Sequence, residues 1–234
     1  MAGYKGYTGY SMLMAGFRRR YSGLLLCLCL GGATLTAADL GDVISELQKH
    51  YAAVETVQGE FRQLYRAPGI NREESGSFWL KRPGLMRWEY RVPEEQLFVA
   101  DGRQSYLYVP SDRQVTIQPF TIADLHNTPL EFLLGSGDIK KSFAVSWENE
   151  FKPKVEGTFV VRLIPHRKDA GYAYLVLELD ARTFDLRRIV IRESSGSTTE
   201  FILSKVSINE KVDKKKFRFN TPKGVEEIRL NTEE

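Results

Sequence analysis

The sequence predicts a mainly β domain of the α+β class, and three observations predict it. About a dozen short, aromatic-rich segments are separated by turn residues, only two stretches carry helical periodicity, and no repeat or flexible linker divides the chain. So many antiparallel strands can form a sandwich, a barrel or one strongly curved sheet. Two helical segments for a dozen strands favour the curved sheet, with the helices filling its concave side.

The elements follow in order. Residues 1–38 read as a removable leader: Arg18-Arg19-Arg20 precedes the apolar run Leu24 to Leu30, and small residues lead out through Ala37-Ala38. The run is shorter than the roughly 20 apolar residues a spanning helix needs. The domain is expected over 39–234. Asp39 to about Thr56 reads as an amphipathic helix, with Asp39 as N-cap and Leu40, Val43, Ile44, Leu47, Tyr51 and Val54 at helical spacing. Strands are expected near Gly59–Tyr65, Gly76–Leu80, Leu85–Arg91, Leu97–Ala100 and Ser105–Val109, with Asp101-Gly102 as a hairpin turn.

Within them, Arg82-Pro83-Gly84 reads as a tight turn opening onto a strand. There Met86, Trp88 and Tyr90 share one face while Arg87, Glu89 and Arg91 share the other. Large aromatics thus line one surface with a fixed charge, Arg82, at its lip. Thr121 to Lys141 reads as a helical insertion, starting at Thr128-Pro129 and stopping at Gly135. Loosely bound, it would act as a lid. Strands resume at Phe143–Trp147, Thr158–Ile164, Tyr172–Leu179, Leu186–Glu193, Thr198–Val206 and Lys216–Phe219.

Charge and cysteine counts both belong partly to the leader. Lys5, Arg18, Arg19 and Arg20 leave with it, and taking these four from 33 basic residues leaves 29 against 30 acidic. The basic balance therefore argues for no nucleic-acid partner. Cys27 and Cys29 leave as well, so the exported chain is expected to hold no thiol. Leu26 and Leu28 precede these cysteines where lipid attachment requires a small residue, which argues against an anchor.

A search for catalytic chemistry finds no constellation. His50, His126 and His166 lie in different elements without helical pairing, so neither a metal nor a cofactor is expected. No G-x-S-x-G occurs, and Gly135-Ser136-Gly137 lacks the lysine of a phosphate-cradling loop. Glu73-Glu74, Glu94-Glu95 and Glu226-Glu227 are adjacent in sequence, which is unsuited to an acid–base pair. Lys214-Lys215-Lys216 reads as a solvated turn, with contact to an anionic membrane surface as the alternative. The apolar positions are ambiguous by nature, because core and lipid cavity use the same side chains.

Read together, the motifs resemble the outer-membrane lipoprotein carrier family (LolA). The matching pieces are Val57-x-Gly59-x-Phe61-x-Gln63, Gly76, Lys81-Arg82-Pro83-x-x-x-x-Trp88, and Asp101-Gly102 leading into Tyr106-x-Tyr108-x-Pro110. Asn127-Thr128-Pro129 and Lys216-Phe217-x-Phe219-x-x-Pro222-x-Gly224-Val225 complete the series. The resemblance implies an incomplete, half-open antiparallel β-barrel whose N-terminal and central lid helices cover a hydrophobic cavity. It implies a monomeric, non-enzymatic periplasmic shuttle that carries triacylated lipoproteins from an inner-membrane ABC transporter to an outer-membrane receptor.

On this resemblance Arg82 would latch the lid through hydrogen bonds to its backbone. Phe61, Phe78, Leu80, Met86, Trp88 and Leu107 from strands, with Leu130, Leu133 and Leu134 from the lid, would line the cavity. Met86 departs from the bulky aromatic that family members can carry there, a softer and more adaptable wall. Two other functions remain open on the residues. One is a same-fold receptor or lipid-sensing regulator, which should be anchored. The other is a secreted lipid-acting hydrolase, which would need a nucleophile beside a base.

Overall fold

The computed structural model describes residues 38–121, 138–167 and 170–230. Helix α1 (Leu40–Ala52) starts where expected, because the Asp39 carboxylate accepts the Gly41 and Asp42 amides. It ends before Thr56, since Thr56 already belongs to the first strand.

The strands follow as β1 (Thr56–Ala67), β2 (Ile70–Lys81), β3 (Leu85–Val92), β4 (Gln96–Ala100), β5 (Gln104–Val109) and β6 (Gln114–Pro119). The short helix α2 (Ile139–Ser142) then leads into β7 (Phe143–Trp147), β8 (Thr158–Pro165), β9 (Tyr172–Asp180), β10 (Leu186–Glu193) and β11 (Thr198–Ile208). Last comes β12 (Glu226–Arg229). Most of the expected insertion, with Thr128-Pro129, Gly135 and His126, lies outside the described residues.

All twelve strands form one sheet in the order β12-β6-β5-β4-β3-β2-β1-β11-β10-β9-β8-β7. Every neighbour pair is antiparallel except β12 with β6, which is parallel. The two edge strands, β7 and β12, do not pair, so the sheet stays open. One cluster of buried apolar residues joins Val43, Ile44 and Leu47 of α1 to strands from both halves, including Trp88 of β3 and Leu177 of β9. The sheet therefore wraps its inner face around α1.

Three local readings change. Lys216–Phe219 is not a strand: Lys214–Phe217 form a 3-10 turn, started by the Asp213 carboxylate accepting the Lys215 amide. The alternation of Phe217 and Phe219 with basic residues imitates a strand, but the segment lies across the outer face. Phe219 rests there 5.3 Å from the Tyr106 ring and 5.7 Å from the Tyr108 ring. Nor is the lysine run simply solvated, because Lys216 Nζ sits 3.6 Å from the centre of the Trp79 ring and 3.2 Å from Glu89. Finally, β6 and β12 are strands that the aromatic pattern did not reveal.

The outer face of β8–β11 buries charge. Arg188 is 3% exposed and lies 3.1 Å from Glu178 and 3.5 Å from Glu200. The 151–157 loop closes over them: Glu178 accepts the Lys154 and Val155 amides, and Lys154 pairs with Glu200.

Candidate functional site

Strand alternation decides which side chains reach the inner face, and the pairing register aligns them across strands. One row runs Phe78, Trp88, Phe98 and Leu107 along β2–β5; a second runs Leu80, Met86 and Ala100. The Trp88 ring stacks on Phe78 at 5.0 Å and meets Phe61 at 4.8 Å and Phe201 at 5.8 Å. Each such aromatic pair adds roughly 0.5–1.5 kcal/mol beyond its buried area.

Phe61, Phe78, Leu80, Met86 and Trp88 are buried together in this cluster. Leu107 shares their face but is 40% exposed and does not belong to the buried cluster. Leu130, Leu133 and Leu134 lie outside the described residues.

Arg82 stands at the β2–β3 turn, where Gly84 takes a φ of 70° that disfavours other residues. Its guanidinium donates from Nη2 to the Tyr51 carbonyl at 2.6 Å and from Nη1 to the Ala52 carbonyl at 3.0 Å. Its own amide donates to Glu55 O at 3.0 Å. The last turn of a helix leaves its carbonyls without intrahelical partners, and a cation is well placed there. Arg82 therefore ties the end of α1 to the mouth of the aromatic strands, and its full set of contacts extends beyond these three bonds.

The same end of α1 is held from the opposite side. The buried Tyr51 hydroxyl accepts the Leu186 amide at 2.9 Å, and His50 Nε2 lies 3.1 Å from Asp185. Burial pushes the Tyr51 phenol above its ordinary pKa, which keeps it neutral. At the start of α1, Lys140 of α2 donates to Gly41 O and Ser45 Oγ, each at 3.3 Å. The helix is thus strapped across the apolar face by a few polar contacts at its ends.

This arrangement lays one face of α1 over a continuous apolar surface. Among the described residues no group of three or more His, Cys, Asp or Glu could hold a metal ion. Of the expected carboxylate pairs, Glu74 is buried beside Arg72, an ion pair without a second titratable carboxylate aimed at a common point.

A family model described as outer membrane lipoprotein carrier protein LolA matches residues 52–220, well over half of the chain. The chain belongs to this family. The matched segment runs from the end of α1 through the turn that crosses the outer face.

An outer-membrane lipoprotein carrier protein of Hahella chejuensis is 34% identical over 210 residues, covering 88% of this chain and 96% of its own. One from Pseudomonas aeruginosa is 33% identical over 202 residues, covering 84% and 92%. An uncharacterized conserved protein of Thermus thermophilus shares the fold with a TM-score of 0.51 at 14% identity, over 81% of this chain and 98% of its own.

Proposed function

We propose that the protein is a periplasmic carrier that takes the acyl chains of lipoproteins into its inner face and shuttles them to the outer membrane. The observation that carries this reading is Arg82 bonded to the Tyr51 and Ala52 carbonyls directly above the buried rows of Phe78, Trp88, Leu80 and Met86. Burying acyl chain is worth about 0.8 kcal/mol per CH₂, so three long chains cannot cross water unaided. An uncovered greasy face of this size would aggregate, which is the physical reason for a cover.

The N-terminal 38 residues act as a cleaved export signal in this reading. Loading comes from an inner-membrane ABC transporter and unloading goes to an outer-membrane receptor, in keeping with a sequence that carries no nucleotide-binding motif. Among the described residues no helix is long and apolar enough to cross a membrane, which suits a shuttle. The protein works without a catalytic step, and Arg82 latches the cover.

Hydrogen bonds from a charged group contribute roughly 1.5–3 kcal/mol. If they form only in the closed, unloaded state, Arg82→Leu raises the free energy of that state alone. The variant then accepts lipoprotein at least as readily as wild type and passes it poorly to the receptor. Loading and transfer assays on the purified variant check this; normal transfer with normal retention would mean that Arg82 is no latch.

A further inference from the structure

The inner face is apolar over most of its breadth but not at one margin. Gln63 of β1 is aligned with Phe201 on one side and with Glu74 on the other. One row nearer Arg82, Phe61, Gly76 and Tyr90 are aligned. A Cβ on Gly76 would come within 1.8 Å of the Glu89 carbonyl oxygen, so no side chain fits there. Tyr90 occupies the space above it: its ring meets Phe61 at 4.9 Å, and its hydroxyl donates to Gln63 Oε1 at 3.1 Å.

That bond leaves the Gln63 amide nitrogen as a donor, and among the described residues nothing accepts from it. Glu74 is 8% exposed, and its described counter-charge is Arg72 Nε at 3.2 Å, on a side chain that is itself 57% exposed. Burial, helped by the Glu74 charge, pushes the Tyr90 phenol up to about 12, which keeps it a neutral hydrogen-bonding group.

Acyl chains have no use for an amide, a phenol and a carboxylate. The group that joins the chains does. We infer that Gln63, Tyr90 and Glu74 form a head-group subsite at the margin of the acyl face, which accepts the uncharged ester and amide carbonyls of an N-acyl diacylglyceryl cysteine and rejects anionic phospholipid. The inference rests on the carrier reading and adds to it a basis for choice.

Lipoprotein and phospholipid carry the same kinds of chain, so an apolar cavity cannot tell them apart. Discrimination must come from the head, and an unfavourable contact achieves it as well as a favourable one. The N–H groups of the Gln63 amide, whose oxygen Tyr90 holds, suit carbonyl oxygens, while a phosphate beside the buried Glu74 carboxylate meets like charge in a poorly screened place. Arg72, more than half exposed and well hydrated, offsets only part of that repulsion.

The test displaces a neutral polyene probe without a head group from the exported, purified protein. The competitors are a tripalmitoylated cysteinyl peptide, dipalmitoylglycerol and dipalmitoyl phosphatidylglycerol. Wild type should bind the two neutral ligands at least roughly tenfold more tightly than the anionic one. Glu74→Gln should bring the anionic ligand to within about threefold of them and leave the neutral pair within about twofold of wild type. Gln63→Leu should weaken both neutral ligands about fivefold without changing the probe.

Equal wild-type affinities, or an unchanged ratio in Glu74→Gln, would overturn the subsite. Should Glu74→Gln fail to fold, Arg72→Gln serves instead: loss of the counter-charge should weaken the anionic ligand further, and no change there also overturns it. Failure of wild type to bind even the probe and the tripalmitoylated peptide would sink the carrier reading itself, a result distinct from either.

Discussion

The two faces of the one sheet are built by opposite means. On the inner face Phe61, Phe78, Trp88 and Phe201 touch ring to ring, and among the described residues the polar contacts to α1 lie at the helix ends. On the outer face buried charges hold the layers. Arg188 lies between Glu178 and Glu200, Arg162 bonds Glu148 at 2.7 Å, and Lys216 lies over Trp79. Apolar contact is non-directional, so an acyl chain can replace one apolar partner with another at little cost. A buried charge has no such substitute, and removing its partner leaves it stranded. On the carrier reading, this division keeps the face that exchanges partners apart from the face that holds the sheet together.

The comparison breaks first at Arg188. Arg188→Leu leaves Glu178 and Glu200 buried without their shared cation, which should cost about 3–5 kcal/mol. Denaturant unfolding reads the loss, and the protein that remains folded should bind an acyl probe as wild type does. Replacing all three by apolar residues of similar volume should recover most of the stability. If it does not, the outer face depends on its charges for more than balance.

Trp88→Ala probes the other face. As core it should cost about 3 kcal/mol, at the lower end of large aromatic truncations, because α1 can settle into the space. As cavity wall it should also weaken acyl-probe binding in the folded fraction, where Arg188→Leu does not. A stability loss with unchanged probe affinity would strike Trp88 from the cavity.

Acid should act on the outer face and the turns before the inner one. Burial works against the Glu89 and Glu148 carboxylates, but Arg87 with Lys216 at the first, and Arg162 with the Glu150 and Phe151 amides at the second, together outweigh it and hold both below the ordinary value. Backbone amides of Arg182 and Thr183 hold Asp180 at about 2. These groups bind fewer protons folded than unfolded. Their contribution is therefore full above the ordinary carboxylate range, about pH 4–4.5, and is lost as pH falls through the folded values towards about 2. Thermal melts from pH 7 to 2.5 should be flat at first and then decline, and Glu148→Gln should make that decline shallower. An identical acid limb in Glu148→Gln would free this carboxylate from any part in it.

What the sequence made legible follows from the same division. The β3 alternation of Met86, Trp88 and Tyr90 against Arg87, Glu89 and Arg91 could be read directly, because one face is greasy and the other charged. Arg82 could be noticed as a fixed charge beside a Pro-Gly turn, though its two carbonyl partners on α1 are thirty residues away in sequence and beyond any local pattern. Charged residues in strands read as solvated, so the buried trio of Glu178, Arg188 and Glu200 gave no signal. β6 escaped because Val115 and Ile117 stand among glutamines and a threonine, and their burial depends on the outer-face cover. Gln63 entered only as part of a motif, and Glu74 only as half of an adjacent acidic pair. Neither position could show that the pairing register would bring both beside Tyr90.

The unpaired edges at β7 and β12 carry a mechanical consequence. In a closed barrel the number of strands and their stagger fix the girth. An open sheet has no such constraint: it can flatten or tighten by small changes of twist between neighbours, with every ladder bond intact. On the carrier reading, such adjustment would let one sheet fit closely around chains of different length. The exposed edge at β12 is kept short and carries Glu226, Glu227 and Arg229, charges that discourage a second sheet from docking there. Girth is left adjustable while the rim is guarded.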